Sequence, residues 1–119
     1  MTKDIERWTF DNDALFDLVR SGVKRGTSSL WRGNDKMTRV GDISEIYNSR
    51  GDTVRIKTTA VRKCRFCDVD ASWARTEGEG DLSLAHWRTV HLAFFTKIKP
   101  DFRETDYLEL EEFVVLGGK

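Results

Sequence analysis
The chain has 119 residues, 39% hydrophobic, 11% aromatic and 34% charged, with 20 Lys+Arg against 20 Asp+Glu for a formal net charge of +0. That length suits one domain, residues 1–119, burying about two-thirds of its unfolded surface without help from a disulfide or a metal. The composition excludes a disordered chain, the lack of an apolar run near 18 residues excludes a membrane span, and the neutral total excludes a histone-like basic coat.

The first residues, Met1 to Trp8, show no apolar h-region or cleavage site, and the last residues show no lipidation box. Two cysteines, Cys64 and Cys67, are too few for a secreted disulfide scaffold, so a cytoplasmic location is expected. With one proline and no repeat, nothing divides the chain.

In chain order, Asp11 or Asp13 is placed to cap a first helix with Ala14, Leu15, Leu18 and Val19 on one face, closed at Gly22. Thr27 to Trp31 reads as a short strand and Arg32 to Val40 as a polar loop. Ile43 to Asn48 alternates, then Ser49-Arg50-Gly51-Asp52 turns the chain into Val54, Ile56 and Thr58, which predicts a hairpin. Asp68 is placed to cap a short helix through Trp73 and Ala74, and Glu77 to Asp81 reads as a loop. From Leu82, the recurrence of Leu84, Trp87, Val90, His91, Phe94, Phe95 and Ile98 predicts an amphipathic helix closed by Pro100. Leu108 to Leu116 alternates as a final strand. The order predicts an α+β fold with a mostly antiparallel sheet or small barrel.

Several segments have a family resemblance. Gly22-Val23-Lys24-Arg25-Gly26-Thr27 fits G-x-K-x-x-T, followed by Ser28-Ser29-Leu30-Trp31, Val40-Gly41-Asp42, Glu77-Gly78-Glu79-Gly80-Asp81-Leu82-Ser83-Leu84, Trp87-Arg88 and His91 with Phe94-Phe95. In this order they resemble one subfamily of ASCH domains over roughly residues 12 to 116. The resemblance implies a PUA-like β-barrel with helices packed on it and a cleft for RNA or a modified nucleoside. Its members include N4-acetylcytidine amidohydrolases and single-strand ribonucleases.

Three residues carry the catalytic expectation. A threonine hydroxyl is a weak nucleophile until a base takes its proton, and a lysine three residues away on a Gly-flanked loop can face the same cleft, so Thr27 and Lys24 form the first pair. Glu79 is the expected proton donor to a leaving amine, with Glu77 the alternative carboxylate. Either acid can instead lie in a solvated turn, with Asp81 or Ser83 capping the next helix. Gly22, Arg25, Ser28, Arg88 and His91 join Glu77 as expected substrate contacts. Trp31 and Tyr47 are the stacking candidates, whereas Trp87 lies on the helical apolar stripe and is expected in the core.

Basic residues crowd two stretches, from Arg20 to Arg39 and from Arg55 to Arg65, as phosphate binding requires and as soluble strand surfaces also show. Cys64-x-x-Cys67, 18 residues and then His86 and His91 approximate a zinc spacing, but the spacer is long and the domain needs no metal to fold. No metal and no cofactor are expected. The expected function is amide hydrolysis of an N4-acylated cytidine-type nucleoside, with RNA cleavage or non-catalytic RNA binding as rivals and monomer or homodimer left open. Residues 1–66 carry 14 basic and 9 acidic side chains and residues 67–119 carry 6 and 11, so the neutral total conceals a basic half bearing Lys24 and an acidic half bearing Glu77 and Glu79.

Overall fold
The computed structural model describes residues 5–10 and 12–116. Five strands, β1 (Glu6–Trp8), β2 (Gly26–Leu30), β3 (Ile43–Tyr47), β4 (Thr53–Arg65) and β5 (Tyr107–Val115), form one sheet in the order β1-β3-β4-β5-β2. β1 runs parallel to β3 and every other pair is antiparallel. Three helices, α1 (Asp13–Arg20), α2 (Ala71–Glu77) and α3 (Leu84–Ile98), complete the expected α+β fold. β1, too short for a periodic signal, was not legible in the sequence.

The sheet bends at β4, where the register against β5 shifts between Thr58 and Ala60; such an irregularity increases local twist. The two edge strands consequently face one another across a groove lined by Trp8 of β1, Thr27 of β2 and Phe94 and Phe95 of α3. β5 is an interior strand, paired on both sides, and its residues Leu108 to Glu111 are buried consecutively. Leu108 and Leu110 join Phe66, Trp73, Trp87 and Phe95 under α2 and α3, while Phe113 joins Phe16, Val19, Ile46 and Ile56 under α1. Each such fully buried side chain contributes about 1.5–3 kcal/mol.

The helix caps differ from the sequence expectation. Asn12, in extended backbone, caps α1 by accepting from Leu15 N at 3.1 Å. Asp13 instead reaches across to accept from Ser49 N at 3.0 Å, and Asp11 lies outside the described residues. The buried face of α1 centres on Phe16 and Val19, leaving Ala14 exposed. Gly22 behaves as expected: with φ at 85° it ends the helix, its N–H reaching Val19 O and that of Val23 reaching Leu18 O, each at 3.0 Å. The hairpin turn is also as expected, with Gly51 at φ 86° and Asn48 Oδ1 accepting from Arg50 N and Asp52 N.

Asp68 lies in a 3₁₀ turn, Phe66–Asp68, that leads into buried Val69, so the cap of α2 falls to Asp70, which accepts from Trp73 N at 2.9 Å. α2 then runs one residue into the expected loop: Glu77 is its last helical residue and Gly78, at φ 68°, its left-handed cap. Ser83 caps α3 by accepting from His86 N at 3.1 Å. The buried stripe of α3 is Trp87, His91 and Phe95, narrower than the sequence periodicity suggests, because Val90 and Ile98 remain exposed.

Candidate active site
Backbone hydrogen bonds place Lys24 between α2 and the sheet. After the turn at Gly22, Lys24 N donates to Leu18 O, Arg25 N to Thr76 O at 2.8 Å, and Phe113 N to Arg25 O at 3.0 Å. The end of α2 thus lies directly on the Val23–Lys24 backbone. Only a residue without a side chain fits at that contact, since a Cβ on Gly78 would sit 2.4 Å from Val23 O. Gly78→Ala is expected to lower stability by about 1–2 kcal/mol from left-handed backbone alone, with the clash adding to it. A urea midpoint equal to that of wild type would contradict this packing.

Lys24 is buried, 1% exposed, although a lysine is almost never so without partners. Its Nζ lies 3.0 Å from Glu77 Oε1, 2.6 Å from Glu79 Oε2 and 3.4 Å from the Glu77 carbonyl oxygen, with the Phe10 ring centroid 5.6 Å away. Glu77 is equally buried and fully engaged. Its Oε2 accepts from Trp73 Nε1 at 2.9 Å, Trp87 Nε1 at 2.8 Å and the Ser28 hydroxyl. Burial alone would raise the Glu77 carboxyl, but the Lys24 ammonium, His91 and Ser28 outweigh it and hold the group well below the usual carboxylate range.

His91 completes a buried cluster with Lys24, Glu77 and Glu79. Its Nδ1 lies 2.9 Å from Trp87 O, a carbonyl that can only accept, so this nitrogen carries a proton. Nε2 faces Glu77 Oε1 at 3.4 Å, an arrangement that favours a second proton there. Burial favours the neutral ring, yet the hydrogen bond and charge of Glu77 prevail and the His91 pKa rises above its ordinary value. Lys24, His91 and the two carboxylates thus meet out of contact with most solvent.

These groups form one wall of a pocket of about 230 Å³, with Thr27 beside them and Phe10 and Phe94 among the apolar lining. The Thr27 hydroxyl makes no side-chain hydrogen bond among the described residues. Thr27, Ser28 and Phe94 also line the groove of about 480 Å³ between the sheet edges, so pocket and groove share a boundary. A fixed ammonium, an available hydroxyl and a half-buried carboxylate beside an apolar wall suit a planar, polar ligand with a reactive carbonyl.

The ASCH domain model matches residues 6–117, nearly the whole chain. The chain belongs to the ASCH domain family. A crystallographic ASCH domain from Lactobacillus crispatus JV V101 is 32% identical, with TM-score 0.83 over 92% of this chain and 79% of that one. Protein EF3133 from Enterococcus faecalis V583 has the same fold at 23% identity, with TM-score 0.83 over 98% of this chain and 82% of that one. Protein PF0455 from Pyrococcus furiosus shares it at 14% identity, with TM-score 0.57 over 96% and 99% of the two chains. No curated protein matches the sequence.

Within this ASCH domain, Lys24, Thr27, Ser28, Glu77, Glu79 and His91 come together at the pocket, joining the basic half of the chain to the acidic half. The other expected contacts lie elsewhere. Gly22 and Arg25 shape the approach to Lys24 through their backbones, while the Arg25 side chain and Arg88 point to solvent. Tyr47 packs under Arg7, 5.1 Å from its ring centroid. Trp31 lines a separate depression with Tyr107 and Lys99, and Lys63 Nζ lies 4.7 Å from its ring centroid. Trp87 is in the core as expected, but its indole N–H also holds Glu77.

Trp73 and Phe10 are among the residues at the site that the sequence did not single out. Trp73 lies one helical turn before Glu77, a spacing that shows only once Glu77 is read as helical. Phe10 has no periodic context at all. The zinc spacing does not converge: among the described residues the one group of ligand atoms within reach of a common ion is Glu77, Glu79 and His91. There the Lys24 ammonium already lies against both carboxylates. No helix among the described residues is long and apolar enough to cross a membrane.

Proposed function
We propose that this ASCH domain binds RNA or a modified nucleoside and hydrolyses the exocyclic amide of an N4-acylated cytidine-type nucleoside. One observation carries the reading: a fully buried lysine, clamped by two carboxylates, lies at a pocket wall beside a threonine hydroxyl. Catalytic sites are where such costly charge burial is concentrated.

Thr27 Oγ1 attacks the amide carbonyl carbon, and its proton passes to the Glu79 carboxylate. The Lys24 ammonium stabilises the developing oxyanion, an effect worth about 10²–10³ in rate for a single donor. As the carbon–nitrogen bond breaks, Glu79 gives the proton to the departing amine. The acyl group is left as an ester on Thr27, and water releases it. Glu77 serves a different purpose: with every oxygen engaged, it fixes Lys24 and His91 in place. Between the two carboxylates, half-buried Glu79 is thus the better proton carrier.

RNA contact is supported by the outer part of β4, where Lys63 and Arg65 lie against the rings of Trp31 and Tyr107. Cations beside aromatic rings are the combination that holds single strands. Incubation with N4-acetylcytidine and, separately, with labelled single-stranded RNA tests the reading. Acetate and cytidine are the expected products from the first, with intact RNA from the second. RNA binding without turnover of the acylated nucleoside would leave a binding module, and strand cleavage would favour a ribonuclease.

A further inference from the structure
The groove holds a second buried carboxylate that the steps above leave unused. Glu111 of β5 is directly opposite Thr27 in the β2–β5 register, as Glu109 is opposite Ser29. Directly opposed residues project from the same face of a sheet with Cβ atoms about 4.5–5.5 Å apart. Both Thr27 and Glu111 line the groove of about 480 Å³. Glu111 is 7% exposed, and its Oε2 is held by the Thr58 hydroxyl at 2.7 Å. Among the described residues no hydrogen bond joins Thr27 to Glu111, so neither group is occupied by the other across the groove.

We infer that Glu111 is the general base that activates the water hydrolysing the acyl group from Thr27. The inference rests on the reaction proposed above and assigns its second half to the flank of Thr27 away from Lys24 and Glu79. The water oxygen bonds to the acyl carbon as its proton passes to Glu111. The carbon–Oγ1 bond then breaks, Glu111 returns the proton to Thr27, and a carboxylic acid leaves.

The surroundings suit a base working near neutrality. Burial pushes the Glu111 pKa up to about 7; the Thr58 hydrogen bond opposes this, and Glu109, Glu6 and Asp42 add to it. Arg32 lines both this groove and the adjoining depression, and Lys36 lines the depression. A base is most effective when its pKa lies close to the working pH.

Glu111→Gln tests the assignment with N4-acetylcytidine as probe, followed by intact-mass measurement and amine release. The variant is expected to release a first equivalent of cytidine, accumulate protein one acetyl group heavier, and turn over about 10²–10⁴-fold more slowly. Thr27→Ala should show no adduct. In wild type the steady rate should climb as pH rises through about 7, and the variant should lose that climb. Glu111→Asp should recover part of the rate, which a merely structural role would not predict. Slow turnover without an adduct, or an unchanged pH profile, overturns the role of Glu111 while leaving the amidase reading intact. A wild type that never releases cytidine overturns both.

Discussion

Lys24→Met is expected to lower folding stability by about 3–5 kcal/mol, because it leaves the Glu77 carboxylate buried without its ammonium. The pair has no solvent to soften the loss, since both side chains are 1% exposed. Total stabilities run to about 5–15 kcal/mol, so the loss is a large share. With an m-value of about 2 kcal/mol/M the urea midpoint should fall by roughly 2 M. Lys24→Met with Glu77→Gln should recover much of this, because the amide oxygen still accepts from the indoles while the unpaired charge is gone. A single variant that unfolds like wild type would mean the pair does not anchor the fold.

The same pair sets the acid response. Glu77 is held below its unfolded value of about 4.3, so its contribution is complete at neutral pH and falls progressively as pH drops beneath that value. His91 acts in the opposite sense. Its raised pKa makes its contribution complete below about 6.5 and lost as pH rises through the folded value. Lys24→Met removes the largest influence depressing Glu77, so the acid limb of its stability curve should flatten.

Thr27→Ala is expected to reduce hydrolysis of N4-acetylcytidine by roughly 10⁴-fold or more, as loss of a nucleophile does in other covalent hydrolases. Its hydroxyl makes no side-chain hydrogen bond among the described residues, so stability should change by less than about 1 kcal/mol. Thr27→Ser should retain activity, since the attacking oxygen survives. Nucleoside binding by equilibrium dialysis should persist in Thr27→Ala because the apolar wall of Phe10 and Phe94 is untouched. An alanine variant that hydrolyses at the wild-type rate removes Thr27 from the chemistry.

Elements with strong local signals were legible from the chain. α3 follows from its apolar recurrence and its Ser83 cap, the hairpin from Gly51, and the end of α1 from Gly22. Places where local signals competed were not. Asn12 lies between the two aspartates expected to cap α1, and Asp70 two residues beyond the one expected to cap α2, and the packing of Phe16, or of Phe66 and Val69, accompanies where each helix begins. Two glycines made Glu77 look like loop, yet one of them is the left-handed cap that lets α2 extend to it.

What the sequence determined by itself was the class of fold and a set of candidate residues: a G-x-K-x-x-T loop, an acidic segment, and opposite charges in the two halves of a neutral chain. Tertiary structure decided which of those residues meet. Lys24 and Glu77 are 53 positions apart, and Thr27 and Glu111 further still. No local propensity couples such distant positions. Helix packing at Gly78 makes the first pair, and the β2–β5 register makes the second. The roles proposed for the two glutamates likewise rest on burial, which only the folded chain defines: Glu77 is enclosed by two indoles, Lys24 and His91, while Glu79 keeps access to the pocket.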